Sequence, residues 1–182
     1  MRFILNDLVN PLIKKGMTAQ LATRRARIAA GENMARDLPG GVTAKAAAAA
    51  IKEMPAIELA DLDPLPAPDN LDKVLEGDVY QRCVLLGAST RVGGSTEGLT
   101  SHLIRRGAEM TRSTDPEALT GKLIDVVAHV ANGLAAFGEK LSAGDIIITG
   151  SITAPVMIEP DETEIAHAID PIGEVSVRFS RD

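Results

Sequence analysis

Leu119, Leu123, Val126, Val127, Val130, Leu134 and Phe137 recur at helical spacing in the stretch from Thr114 to Thr153. One face of that segment must therefore be apolar and turned to a core. Thr114 with Glu117 three residues on has the form of a capping box, and Pro116 stands where a first turn accepts proline. Gly138 is the expected stop. Gly144-Asp145 then turns the chain into Ile146–Ile148, a β-branched run that reads as a buried strand. It runs out into Thr149-Gly150-Ser151-Ile152-Thr153. Small residues with hydroxyls at the end of a strand present N–H and O–H donors to an anion. An ordinary strand-to-loop exit meets the same spacing.

The rest of the C-terminal part reads as short strands. Pro155–Ile158 is one, Glu159-Pro160-Asp161 a turn, Thr163–Ile169 another, and Asp170-Pro171-Ile172-Gly173 a second turn. In the last strand Val175, Val177 and Phe179 alternate with Glu174, Ser176 and Arg178, so one face is buried and one solvated. Leu99–Ile104 and Glu109–Arg112 around Arg106-Gly107 read as a β-hairpin.

A chain of 182 residues with 45% apolar side chains suits one domain with an adequate core. Aromatics make up only 2%, so that core is aliphatic and base-stacking surfaces are scarce. The net charge of −6 speaks against nucleic acid or an anionic membrane as partner. Cys83, the single cysteine, lies in an apolar run and is expected to be a buried thiol. There is no bilayer-length apolar stretch and no signal-peptide layout, so a soluble cytoplasmic protein is expected.

The run from the long helix through Leu141-Ser-Ala-Gly-Asp-Ile-Ile-Ile-Thr-Gly-Ser151 to Gly173–Phe179 resembles the C-terminal end of the fumarylacetoacetate hydrolase superfamily. Within it the resemblance is to the branch of 2-keto-4-pentenoate hydratases and 4-oxalocrotonate decarboxylases, and it extends over most of the chain. It implies an α+β, mostly β fold: a mixed β-sheet or roll core with flanking helices, here truncated. It also implies one domain over residues 1–182, with an N-terminal helical segment 1–32 and a core 33–182. The implied activity is a hydro-lyase that adds water to a 2-hydroxydienoate in aromatic-compound catabolism. The sister activity is decarboxylation of a 2-oxo dicarboxylate. A small 2-oxo acid is the implied partner and a homo-oligomer the implied assembly. Thr149, Gly150 and Ser151 become the expected contacts of the substrate carboxylate.

A divalent cation, Mg2+ or Mn2+, is the implied cofactor. Such a hard cation takes oxygen ligands in near-octahedral array, and carboxylates supply them. The family carries an acidic-x-acidic pair ahead of the motif that resembles Asn33–Gly41, and a lysine loop ahead of the pair. Here residues 17–30, a helix by pattern, end in Gly31-Glu32 and run straight into Asn33. The block with the pair is missing between Glu32 and Asn33. Glu58 remains as the expected metal ligand. Glu162 with Glu164, Asp61 with Asp63, and Glu32 at the junction are the substitutes the sequence offers. A chain without the pair also admits a rival reading, a non-catalytic remnant that keeps the anion-binding loop.

Elsewhere, Thr43–Met54 with its alanine run reads as a helix and residues 64–70 as a proline-rich loop. Asp78 or Arg82 is placed near substrate by the resemblance, with a structural role the simpler alternative. Gly93-Gly94-Ser95 lacks phosphate-loop spacing. Of the histidines, His102 is expected toward solvent, His129 in a core or interface, and His167 in the penultimate strand. None has a neighbour at metal-ligand spacing, and Gly150-Ser151-Ile152 is not a nucleophile elbow.

Overall fold

The computed structural model describes residues 37–61, 71–76, 78–88, 91 and 93–180. The helix expected at 17–30, the junction at Glu32, Asp63 and the proline-rich loop lie outside the described residues. The elements are α1 (Ala44–Ala48), β1 (Ala56–Ala60), α2 (Leu71–Glu76), β2 (Gln81–Leu86), β3 (Thr100–Arg105), β4 (Ala108–Ser113), α3 (Leu123–Ala135), β5 (Glu164–Asp170) and β6 (Gly173–Arg178). A 3-10 turn, Asp78–Tyr80, precedes β2. The chain is α+β, with strands in the majority among its elements. Two compact units are present, one including Glu58–Val84 and the other Met34–Ile57 with Leu85–Asp182.

In the first unit the described chain is β1 from Glu58, α2 and β2 as far as Val84. β1 and β2 form a two-stranded sheet. Cys83 on β2 is exposed, against the expectation of a buried thiol. A strand of a two-stranded ribbon has a face that need not be covered, and an apolar run does not say which residue takes it.

The second unit is built on a four-stranded sheet in the order β4-β3-β5-β6. All three pairings are antiparallel. The two hairpins expected from turn chemistry are both present, and β3 pairs β5 to join them. Directly opposite residues share a face. Ser101 stands opposite Ile169, Leu103 opposite His167, and His167 opposite Val175, so these line the covered side. Ser101, Leu103, Ile165, Ile169 and Val175 are buried there.

Helix α3 closes this unit's core with Val127, Ala128, Ala131 and Leu134, and packs on α1. Ala47 and Ala131 are fully buried. Alanine lets the two helices approach closely, which is what the alanine run contributes. α1 is shorter than the Thr43–Met54 expected: Thr43 caps it, accepting from the Ala46 N–H at 3.3 Å, and it ends at Ala48. Asn132 on α3 fastens the preceding turn. Its Oδ1 accepts from the N–H groups of Gly41 (2.7 Å) and Val42 (3.1 Å), and its Nδ2 donates to Val42 O (3.3 Å). Gly40 lies so close to α3 that an added Cβ would come within 2.3 Å of Ala135 Cβ.

The start of α3 differs from expectation. Residues 115–120 form a turn, Leu119 is 66% exposed, and the helix begins at Leu123. Glu117 caps it from that turn: Oε1 accepts from the Leu123 N–H at 3.0 Å and Oε2 from Lys122 Nζ at 3.1 Å. Thr114 takes no part as a capping-box residue. Gly138 does end the helix, at φ +74°. The N–H groups of Gly138 and Glu139 donate to Ala135 O and Leu134 O, the paired bonds of a Schellman stop. No helix among the described residues is long and apolar enough to cross a membrane.

Candidate functional site

The segment from Ile146 to Ile158 carries the expected anion-binding residues, and it is not a strand. Leu141 bridges to Leu38, and both are buried. Ser142–Asp145 then closes a turn in which Asp145 Oδ2 accepts from the Ser142 N–H at 2.9 Å. From Ile146 onward the chain runs through the second unit without ladder pairing as far as Glu164. The strands expected at Ile146–Ile148 and Pro155–Ile158 are therefore absent. A short β-branched run states a preference for extended backbone, and the ladder itself needs a neighbour that no local pattern specifies. Ile146, Met157 and Ile158 are 53%, 70% and 48% exposed.

Within this strap Gly150 is left-handed at φ +107°, and a Cβ there would lie 2.8 Å from Thr120 Cγ2. Only glycine takes that backbone against that neighbour without strain. Among the described residues, none of the N–H groups of Thr149, Gly150 and Ser151 has a hydrogen-bond partner. Ser151 Oγ donates to Thr153 O at 2.5 Å, and Gly150 and Ser151 are exposed. Three successive N–H groups without a partner, around a left-handed glycine, are donors available to an anion.

An open depression of about 590 Å³ lies elsewhere in the second unit, between the Gly93–Glu97 loop and the start of α3. Two cations line it, Arg91 and Lys122. Lys122 is paired to Glu117. Arg91 Nε lies 3.1 Å from Glu53 Oε2, and its Nη2 donates to Ser95 O at 2.8 Å. Burial raises the Glu53 carboxyl above its ordinary range, and the Arg91 charge offsets part of that rise. The N-terminus of α3 is already occupied by the Glu117 carboxylate. Burial works to raise the Glu117 pKa, but the Leu123 N–H and the Lys122 ammonium together hold it below the usual value. The depression is thus balanced in charge, and its strongest donors are spoken for.

Glu58 is exposed on β1 in the first unit, where the described chain also holds Asp61 and Arg82. Asp61 Oδ2 accepts from Arg82 Nη2 at 2.8 Å and Nε at 3.1 Å, so these two serve each other. Glu164 pairs with Arg178 (3.1 Å). Glu162 is buried and its carboxylate is taken by arginine. Arg105 Nε donates to Oε2, and Arg106 Nε lies 3.5 Å from Oε1. Glu162 thus turns inward from a turn whose other carboxylates, Glu159 and Asp161, stay exposed. Among the described residues no three His, Cys, Asp or Glu side chains gather as metal ligands. The described residues do not fit a magnesium centre. One carboxylate, Glu58, falls short of the donor set such an ion requires, and the described substitutes, Asp61, Glu162 and Glu164, are paired with guanidinium groups.

The histidines form a feature that sequence reasoning missed. His167 Nε2 lies 2.9 Å from Ser101 Oγ, and its Nδ1 lies 3.2 Å from Ala56 O. The carbonyl can only accept, so Nδ1 carries the proton and the Ser101 hydroxyl donates to Nε2. Burial depresses the His167 pKa below its ordinary value. Ser101 is fully buried, which bars it from meeting a substrate. His102 is half-buried on the opposite face, with Glu109 Oε2 at 2.5 Å from Nδ1 and Asp170 Oδ2 at 3.3 Å from Nε2, and does not point into solvent as expected. His129, expected in a core or interface, is exposed on α3.

No family model matches the chain. Over 62 residues, 34% of its length, it is 42% identical to a 4-oxalocrotonate decarboxylase of Pseudomonas putida, of which this covers 23%. Two solved structures of 4-oxalocrotonate decarboxylase from Pseudomonas putida G7 share its fold. One, complexed with magnesium and adipate, gives a TM-score of 0.66 at 26% identity, covering 81% of this chain and 57% of that one. The other, complexed with calcium and acetate, gives 0.64 at 25% identity, with 81% and 56% covered. The chain thus spans little more than half the length of these neighbours.

Proposed function

Because the chain belongs to the fumarylacetoacetate hydrolase superfamily, we propose that it binds a small 2-oxo acid through Thr149, Gly150 and Ser151. The observation that carries this is the left-handed Gly150 in a run of three N–H donors without partners, two of them on exposed residues. A carboxylate at that bend would receive hydrogen bonds of the charge-assisted kind, roughly twice as strong as neutral ones. The solved neighbours were complexed with adipate and acetate, both carboxylates, which favours the same ligand class here.

The reaction we assign is the lyase chemistry of a 2-oxo dicarboxylate decarboxylase. The names of the relatives support decarboxylation and give no separate support to hydration of a 2-hydroxydienoate, the first expectation from sequence. What this chain's described residues do is bind and orient the carboxylate. They supply no metal set, and no step is assigned to them beyond binding. The relatives' structures were complexed with divalent cations, so turnover by this chain would call for added Mg2+. The alternative, a binding chain without turnover, rests on the missing carboxylate cluster among the described residues. Homo-oligomer formation belongs to the same proposal and is read by light scattering.

Calorimetry with oxalate, a 2-oxo acid mimic, with and without Mg2+, tests the reading. Binding that is lost in Gly150→Val supports the anion site. Binding strengthened by Mg2+, together with release of carbon dioxide from a 2-oxo dicarboxylate, supports the enzyme. Oxalate binding indifferent to Mg2+ leaves the non-catalytic chain, and no binding by the folded protein rejects the site.

A further inference from the structure

The strap that carries Thr149–Ser151 is short of the usual means of support. It has no ladder partner, and Ile146, Met157 and Ile158 leave about half or more of their surface in water. Its first end is fixed by the Ser142–Asp145 turn. Its second end meets two adjacent arginines of the β3–β4 hairpin. Arg105 donates to the buried Glu162, reaches Met157 O at 3.4 Å, and lies 3.5 Å from Glu159. Arg106 Nη2 donates to Glu159 Oε2 at 2.9 Å and Asp161 Oδ1 at 2.6 Å. Two cations thus hold three carboxylates of one turn and a carbonyl of the strap itself.

The hairpin bears a cost for this arrangement. Arg106 and Gly107 are both left-handed, at φ +51° and +75°. A two-residue turn of that kind prefers asparagine or glycine in its first position, where a long side chain on that backbone is strained. An arginine there is explained by what its guanidinium reaches. Strain of this sort persists where surrounding contacts over-determine it.

We propose that Arg105 and Arg106 are positioning residues, which set the strap and thereby the donor array at Thr149–Ser151. This rests on the reading of that array as the 2-oxo acid site. The two ends of the strap are tied, the middle is exposed and carries the donors, and the second tie is electrostatic. The geometry of the array therefore depends on a clasp remote from it in sequence, with neither arginine required to touch the ligand.

The test uses the whole chain in three forms: Arg106→Asn, Arg105→Lys and Arg105→Met. Arg106→Asn relieves the turn and leaves the Arg105–Glu162 pair in place, so it stays folded even if Arg105→Met does not. Limited thermolysin cleavage is followed at Ile146, Met157 and Ile158 in the strap and within β3 and β5, and oxalate affinity is measured alongside. The expected result for Arg106→Asn is cleavage at least tenfold faster in the strap, unchanged cleavage in β3 and β5, and oxalate affinity at least fivefold weaker. Arg105→Lys is expected to retain more affinity than Arg105→Met. Strap cleavage equal to wild type in Arg106→Asn, or faster only in step with the whole sheet, overturns the proposal. If wild type binds no oxalate, the reading of the site fails, and the cleavage data still decide whether the clasp holds the strap.

Discussion

The hydroxyl of Ser101 and the Nε2 of His167 meet at 2.9 Å across β3 and β5, inside the sheet's covered face. Ser101 is fully buried, and the second ring nitrogen is bound to Ala56 O. The imidazole is therefore held neutral, in one tautomer. Burial is the main cause, with the nearby His102 acting in the same direction and the Ala56 hydrogen bond opposing.

Stability should follow from that. Between the depressed folded pKa and the ordinary value of 6.5, the unfolded chain binds a proton that the folded chain refuses. Stability therefore rises with pH through that window, and is lost as pH falls from about 6.5 toward the folded pKa. The difference in urea midpoint between wild type and His167→Gln, followed from about pH 5 to about pH 7.5, isolates this contribution. A difference that is flat in pH would count against the assignment. Ser101→Ala removes the donor to a buried ring nitrogen and is expected to cost about 1–3 kcal/mol.

Glu117→Ala should fray the first turn of α3. The carboxylate accepts the Leu123 N–H, an N-terminal donor with no partner inside the helix. Loss of such a cap costs about 0.5–2 kcal/mol, read as a lower urea midpoint. The folded pKa of Glu117 is depressed, so its contribution is present above the ordinary 4.5 and lost as pH falls through the folded value. Wild type and variant should therefore converge in acid.

Glu162→Ala should be among the most damaging single changes. It leaves Arg105, with a side chain only 14% exposed, facing no buried carboxylate. Removing the buried partner of an ion pair is strongly destabilising, and only Glu159, at 3.5 Å, stays beside Arg105. Thermal unfolding of Glu162→Ala beside the Arg105→Met/Glu162→Leu double variant checks this, and the double variant should be the more stable.

Gly40→Ala tests the close approach to α3. The new Cβ collides with Ala135, and overpacking of this kind costs about 1–3 kcal/mol. Ala135→Gly at the end of the helix should return part of the loss in the double variant. Additive losses in the two single changes would show that the contact is not the cause.

What was legible in the sequence was local. The β3–β4 and β5–β6 hairpins follow from Arg106-Gly107 and Asp170–Gly173, and the end of α3 follows from Gly138. These features are decided by backbone conformation within a few residues. The strands read at Ile146–Ile148 and Pro155–Ile158 were wrong, because a ladder depends on a distant neighbour. Glu117 was singled out for capping but serves a later helix start than the one expected. The Ser101–His167 pair and the burial of Glu162 leave no mark in spacing, since each partner is supplied across the sheet or from another turn. Of the candidate site, Thr149–Ser151 were legible as a candidate donor run, whereas the packing of Gly150 against Thr120 was not.

The strand order β4-β3-β5-β6 has a consequence for how the chain reaches this state. Each hairpin closes locally, on a timescale of about 1–10 μs. Their union must wait for β3 to find β5, with residues 114–163 looped between them. That loop contains α3 and the whole strap, so the segment proposed to bind an anion is enclosed by the slowest contact to form. Substitutions along the β3–β5 seam are expected to slow folding, and those in the strap to speed unfolding instead, a distinction that stopped-flow refolding resolves. The proposed site would then be the last part of the second unit to assemble and the first to open.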